Sequence, residues 1–252
     1  MQGMQIIFMG TNGWYSSDTG LTPSILIGSH DAHIVLDAGE GISRLDRYIK
    51  GISKDVFILI SHLHLDHISG LHTLSKFKFT GKVTIIAKEG ARDILKKFIS
   101  PPFTTAIEGL PYPLEIREIR EGKEIIPPLK IEAALMPHPD PSLTYRLNID
   151  GKVITYATDT AKNSRIPELA RGSEILITEC SYLPGEENPS WQHMNPESAA
   201  WIAREAGAKR LILTHFDALR YRSWEDRSKA LAAAKEIFEN TEIAYDGMII
   251  EV

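Results

Sequence analysis

Short apolar-rich segments, many of them bounded by Gly, Pro, Asn or Asp, alternate along this chain with stretches in which apolar residues recur at helical spacing. The apolar-rich segments are too short for helices and read as strands over Gln5–Met9, Ser24–Gly28, Ile34–Asp37, Val56–Ile60, Val83–Ala87, Leu114–Ile119, Lys130–Met136, Thr144–Ile149, Val153–Ala157, Glu174–Thr178, Leu211–Thr214, Glu242–Tyr245 and Met248–Glu251. Helices are predicted at Gly41–Ile49, where Ile42, Leu45 and Ile49 share a face, and at Ser69–Lys76, Ala91–Ile99, Pro196–Ala206 and Trp224–Phe238. Asn195 ahead of Pro196 reads as an N-cap followed by Pro at the first helical position. Ser223, three residues before Asp226, resembles a capping box, and Ala230, Leu231, Ala234, Ile237 and Phe238 form the apolar stripe of the helix behind it. This alternation without a linker gives an α/β or α+β chain and no more.

With 252 residues and 43% hydrophobic content the chain can bury a large core, and residues 1–252 are expected to form one domain. The formal net charge of -5 offers no global basic character to attract a polyanion, which favours small ligands over long nucleic acids. A single Cys180 excludes an intrachain disulfide and reads as a packing residue. Met1-Gln2-Gly3-Met4 carries no basic leader pattern, and no apolar run approaches the ~18 residues of a membrane span. A cytoplasmic protein with no membrane partner is expected; the oligomeric state, a homodimer included, is left open.

The chemistry concentrates in His62-Leu63-His64-Leu65-Asp66-His67, directly after the run Val56-Phe57-Ile58-Leu59-Ile60. Three imidazoles and a carboxylate at the end of a buried strand make a poor core and a good metal site. Residues two apart project to one side, so His62 and His64 can close on one cation while Asp66 and His67, past the turn, face a second. Imidazole with carboxylate suits zinc best, with manganese or iron as poorer matches. Four side chains cannot saturate two ions, so further donors must lie downstream. Of the nine histidines, His138 ends a strand between Pro137 and Pro139, and His215 ends Arg210-Leu211-Ile212-Leu213-Thr214; Asp159 ends Val153-Ile154-Thr155-Tyr156-Ala157-Thr158 in the same way. Sites in layered α/β proteins lie beyond the carboxyl ends of strands. His30, His33 and His72 read as ordinary surface or helix-start histidines.

At these residues the chain resembles the metallo-β-lactamase superfamily of dinuclear metal hydrolases, and within it the ribonuclease Z-like and phosphodiesterase-like branch. The resemblance runs from Gly10-Thr11-Asn12-Gly13 through Leu36-Asp37-Ala38-Gly39-Glu40-Gly41, Ser61–Gly70, Thr158-Asp159-Thr160 and Leu213-Thr214-His215-Phe216 to Tyr245-Asp246-Gly247-Met248, essentially the whole chain. It implies an α+β four-layer αββα sandwich, with two mixed sheets face to face and helices outside. It also implies two divalent metal ions, with His62, His64 and His138 on the first, Asp66, His67 and His215 on the second, and Asp159 bridging. Asp37 resembles the family's buried structural aspartate, and Asp66 is carried over as a catalytic residue as well as a ligand. His193, in His193-Met194-Asn195-Pro196-Glu197-Ser198-Ala199-Ala200, matches the histidine that serves in this branch as proton donor or transition-state stabiliser. Independently of the family, the following helix start offers amide donors and a positive dipole end, which suits an anionic group such as a phosphate beside His193.

A cation pair ~3.5–4 Å apart can hold a bridging hydroxide and neutralise a phosphorane or tetrahedral intermediate. An alkoxide leaving a phosphodiester then needs a proton, whereas a thiolate hardly does, so His193 favours phosphodiesters. The long arm with which ribonuclease Z clamps transfer RNA falls between the positions of His138 and Asp159; here only Pro139–Arg146 and a hairpin turning at Asp150-Gly151 stand there. The expected function is therefore hydrolysis of small phosphodiesters, with precursor-tRNA cleavage second, a thioesterase or lactonase third, and metal binding without turnover last. The proline-dense Ser100–Pro113 segment, Leu183–Trp191 and the Gly10–Gly20 segment are candidate walls of the substrate site, with Trp191, Tyr182 and Phe103 reading either as stacking residues or as ordinary loop anchors.

Overall fold

A computed structural model describes residues 3–49, 54–188 and 190–252. Met1 and Gln2, at the chain start where a leader pattern was sought, and Pro189, in the candidate loop Leu183–Trp191, lie outside the described residues. The first half of the chain supplies strands β1 (Gln5–Gly10), β2 (Asn12–Gly13), β3 (Ser24–Gly28), β4 (Ala32–Leu36), β5 (Asp55–Leu59), β6 (Val83–Lys88) and β7 (Leu114–Ile119). The second supplies β8 (Gly122–Ile126), β9 (Leu129–Met136), β10 (Ser142–Ile149), β11 (Lys152–Ala157), β12 (Ile175–Glu179), β13 (Leu211–Thr214), β14 (Phe216–Asp217), β15 (Thr241–Ile243) and β16 (Ile249–Glu251). The helices are α1 (Leu45–Tyr48), α2 (Leu65–Ile68), α3 (Arg92–Phe98), α4 (Arg165–Leu169), α5 (Pro196–Ala206) and α6 (Trp224–Lys235).

Two seven-stranded sheets, ordered β16-β1-β3-β4-β5-β6-β7 and β15-β13-β12-β11-β10-β9-β8, carry the fold, and β14 pairs with β2 between them. Both sheets are mixed: β4 to β7 run parallel and β1, β3 and β16 antiparallel, while β8 to β11 alternate and β11, β12, β13 and β15 run parallel. Period-2 alternation sorts each strand into two faces. In β1, Ile6 and Phe8 join Leu143, Tyr145, Leu147 and Tyr156 in a core between the sheets, whereas Ile7 and Met9 face outward to Ile42, Leu45, Leu71 and Leu74. A third cluster sets Leu176, Leu211 and Leu213 against Ile166, Ala199, Ile202, Ala203 and Ala230 on the helices of the other side. Three cores between four layers make the αββα sandwich that the resemblance implied. Covering both faces of the parallel strands is why they read as unbroken apolar runs.

Both helix starts read from sequence hold. The Asn195 side chain accepts from Ser198 N at 2.8 Å with Pro196 at the first turn, and Ser223 and Asp226 close a reciprocal capping box. The structure refines the reading in helix type and bounds and adds short elements to it. Ser69–Lys76 is a 3-10 helix rather than an α-helix, because Thr73 Oγ1 and His72 Nδ1 bond carbonyls three residues back and Gly70 packs where an added Cβ would lie 2.1 Å from Gly39 O. Gly41–Ile49 splits into a 3-10 turn at Glu40–Arg44 and the short α1. Strand β8 and helix α4 escaped the pattern: β8 is a mostly exposed edge strand, Gly-Lys-Glu-Ile-Ile, and α4 is one turn long.

Candidate metal centre

One rim of the sandwich gathers the polar residues at and just beyond the carboxyl ends of β4, β5, β9, β11, β12 and β13: Asp37, His62 to His67, His138, Asp159, Glu179 and His215. Donor atoms of His62, His64 and His138 lie within 4.8 Å of one another, and so do those of Asp66, His67 and His215; His62, His67 and Asp159 form a third such group. Asp159 stands between the two ends, with Oδ2 3.2 Å from both His67 Nε2 and His215 Nε2 and Oδ1 4.0 Å from His138 Nε2. Every metal-ligand candidate read from the sequence is thus in one cluster. His30, His33 and His72 stand in none of these groups.

The backbone is bent to achieve this. Asp37, Asp159 and His215 have positive φ of 56°, 50° and 50°, a left-handed conformation unusual for residues with a Cβ. Such turns at three strand ends around one cluster mark a site whose geometry outweighs local preference. Glycine makes room: a Cβ on Gly13 would lie 2.4 Å from the His215 ring. Asp140 ties the two first-site loops together, accepting Leu63 N at 2.7 Å and pairing with Lys88.

Outer partners fix the His67, His138 and His215 rings. Asp37 Oδ2 lies 2.8 Å from His67 Nδ1 and also accepts from Ser61 Oγ and Tyr156 OH, at 2.9 and 2.7 Å. His138 Nδ1 bonds Asp140 O at 3.0 Å, and His215 Nδ1 meets Ser181 Oγ at 3.2 Å. With Nδ1–H committed outward, each Nε2 lone pair faces the cluster, the arrangement of metal-binding histidines. His62 Nε2 and His138 Nε2 are moreover buried without a hydrogen-bond partner, a cost a structure bears when another acceptor of the lone pair belongs there. The residues therefore fit metal ions. Burial holds His62 and His138 below the usual histidine range, keeping them neutral donors. At His67, burial is outweighed by Asp66, Asp159 and Asp37, which push it well above that range. Burial opposes ionisation of Asp159, but His215, His67 and His62 keep its carboxyl well below the carboxylate range. An anionic carboxylate amid crowded imidazoles is a pocket of donors.

His193 shares the rim, with Nδ1 3.9 Å from Asp159 Oδ1, and its donor lies within 4.8 Å of those of His138 and Asp159. Proximity alone would fit a ligand as well as a proton donor. His193 Nδ1 lies 2.9 and 3.1 Å from the two oxygens of Glu179, so that nitrogen carries a proton and holds the ring at the cleft. Burial pulls the His193 ring down, yet Glu179 outweighs it and raises the pKa to about 9. Glu179 is itself fully buried and fixed by Thr160 N and Ser181 Oγ, both at 2.6 Å. Through Ser181 it also supports His215.

A cleft of about 390 Å³ opens over the donors, lined among others by Trp14, Tyr182, Trp191, His193, Arg220 and Asp217. The Gly10–Gly20 segment thus supplies a wall, as expected. Tyr182 is buried apart from its cleft edge, its OH donating to Trp191 O at 2.6 Å. The Ser100–Pro113 segment is corrected as a wall: among the described residues, none of 100–113 lines the cleft, and Phe103 packs as a loop anchor, stacked on Phe98 at 6.5 Å. Cys180 packs in the interior, 3.3 Å from Tyr221 OH. Glu179, Ser181, Trp14 and Arg220 were missed. Glu179 ends a strand as Asp159 nearly does, one residue beyond the range read for it, and that placement was the available signal. Arg220 carried none, since its part depends on Glu186 and Asp217, which it bridges at 2.7 Å each.

Residues 32–216 match the family model described as beta-lactamase superfamily domain. Ribonuclease Z of Archaeoglobus fulgidus is 27% identical over an alignment of 310 positions that takes in 98% of this chain and 97% of the relative. The probable metallo-hydrolase YhfI of Bacillus subtilis is 26% identical over 218 positions, 84% of this chain and 86% of the relative, and its crystal structure superposes with a TM-score of 0.82 at 21% identity over 100% of both chains. A crystallised diphosphatase of the PhnP family has the same fold, with a TM-score of 0.73 at 18% identity over 99% of this chain and 98% of that one. Among the described residues, no helix is long and apolar enough to cross a membrane.

Proposed function

The chain belongs to the beta-lactamase superfamily and is a metal-dependent hydrolase, and from that premise we propose that it hydrolyses small phosphodiesters. His62, His64 and His138 would hold one divalent ion, Asp66, His67 and His215 a second, and Asp159 would reach both; imidazole and carboxylate donors suit zinc. The ions, when bound, supply an activated water and positive charge for the phosphoryl oxygens. His193 supplies the proton to the departing oxygen. Its Nδ1–H stays on Glu179, which holds the ring in orientation, and Nε2 remains for the leaving group.

The single observation carrying this reading is the buried Glu179–His193 pair at the cleft. A histidine held protonated beside metal donors serves an alkoxide leaving group, which a thioester, releasing a thiolate, would not require. Small substrates are favoured by the acidic balance and by β10, which begins at Ser142, four residues after His138. The alignment with ribonuclease Z spans 310 positions against 252 residues here, so that relative carries segments without counterpart in this chain. YhfI aligns without such an excess. Precursor-tRNA cleavage is the second reading, supported by the match to ribonuclease Z over nearly the whole of both chains.

Kinetics on metal-loaded protein with a bis-aryl phosphodiester, a cyclic phosphodiester, a precursor tRNA, a thioester and a lactone rank these readings. The small diesters should be turned over fastest, and tRNA binding should be weak and fall steeply with salt. Efficient endonucleolytic cleavage of the precursor tRNA at physiological salt would establish the second reading instead.

A further inference from the structure

Two indoles stand exposed on the walls of the same cleft. Trp14 is 62% and Trp191 51% solvent-exposed, both lining the space above Asp66, Asp159 and His193. Scattered exposed aromatics are ordinary; these two are held in place relative to the donor cluster. Trp14 adopts a left-handed backbone, φ 70°, and donates its N–H to Asp66 Oδ2 at 2.8 Å. Its neighbour Gly13 lies against the His215 ring, and Tyr15 meets the Trp14 indole edge-on at 5.3 Å. Trp191 is fixed through its backbone, N–H to Asn188 O at 3.1 Å and carbonyl to Tyr182 OH at 2.6 Å, with its ring 6.0 Å from that of His193 and tilted by 42°. Backbone strain at Trp14 and backbone hydrogen bonds at both residues thus hold the two indoles exposed at the cleft. The nearby cation, Arg220, is engaged with Glu186 and Asp217 and with the Tyr182 ring.

We propose that Trp14 and Trp191 are specificity-determining walls that stack on a flat aromatic group of the substrate, a nucleobase carried by the phosphodiester. This rests on the phosphodiesterase reading. Stacking on an indole face is tolerant of base identity, because every base offers a π-face, so purine and pyrimidine esters should both be accepted.

The test compares thymidine 5′-(p-nitrophenyl) phosphate with methyl p-nitrophenyl phosphate, which share a leaving group and differ in the retained ester, on manganese- or zinc-loaded wild type, W14A, W191A and W191F. Wild type should prefer the thymidine ester in kcat/KM, mainly through KM. The preference should shrink roughly 5- to 100-fold in W14A and W191A, the range of one lost base stack, and survive in W191F. An unchanged preference in both alanine variants, or none in wild type, overturns the proposal. If wild type cleaves neither ester, the phosphodiesterase reading fails by itself, and titration calorimetry of adenosine 5′-monophosphate against ribose 5-phosphate decides the aromatic walls. Tighter binding of the nucleotide, lost in W191A, supports them; equal binding of the two rejects them.

Discussion

Replacing His193 by alanine is expected to lower turnover of a phosphodiester with a poor leaving group by roughly 10²–10⁴-fold, the range of a lost general acid, while metal content stays at the wild-type level. The expectation rests on Glu179, whose buried carboxylate beside Nδ1 favours the protonated ring that a proton donor needs. With a nitrophenyl ester the loss should shrink, because that leaving group departs without a proton. Equal losses on both substrates would assign His193 to charge stabilisation or positioning, and loss of metal would make it a ligand. Glu179→Gln gives a pH signature for the same pair. The carboxylate raises His193 to about 9, so the acid form persists at neutral pH and is lost as pH rises through that value. Bound cations lower the value in wild type and variant alike. Removing the carboxylate lowers the pKa further, so the alkaline limb of kcat should move toward acid; an unmoved limb would separate Glu179 from the proton donor.

Asp159→Ala is expected to abolish activity and to disturb metal binding at both ends of the cluster, whereas His64→Ala should weaken mainly one. Asp159 Oδ2 reaches His67 and His215 while Oδ1 faces His138, so its carboxylate touches both ligand sets. His64 belongs to one group only, beside His62 and His138. Loss of a shared ligand also leaves His67 and His215, whose Nε2 atoms are 3.1 Å apart, with Asp66 Oδ2, 3.4 Å from each, as the remaining anion beside them. Elemental analysis of the two variants checks this: equal, partial loss of metal in both would count against Asp159 as the shared ligand.

The strands were legible because both sheets are covered on two faces, so unbroken apolar runs such as Phe57-Ile58-Leu59 announce them. The clustered donor residues were legible by one rule, a polar residue at the carboxyl end of a strand, which found His62, His138, Asp159 and His215 without distances. That rule fails where a role arises through a second residue. Glu179 matters because His193 returns from another loop to meet it, and Ser181 because it stands between Glu179 and His215. Trp14 owes its exposure to a left-handed turn that a Gly-rich segment does not specify residue by residue. Ser69–Lys76 has helical periodicity, but hydroxyl and imidazole bonds to carbonyls three residues back tighten it, a competition invisible to pattern.

The central claim, that these side chains form a two-ion site, is tested most directly by the metal content of the purified chain. Elemental analysis after reconstitution with zinc or manganese should find about two ions per chain, as a two-metal hydrolytic site requires; less than one ion per chain under the same conditions would contradict it.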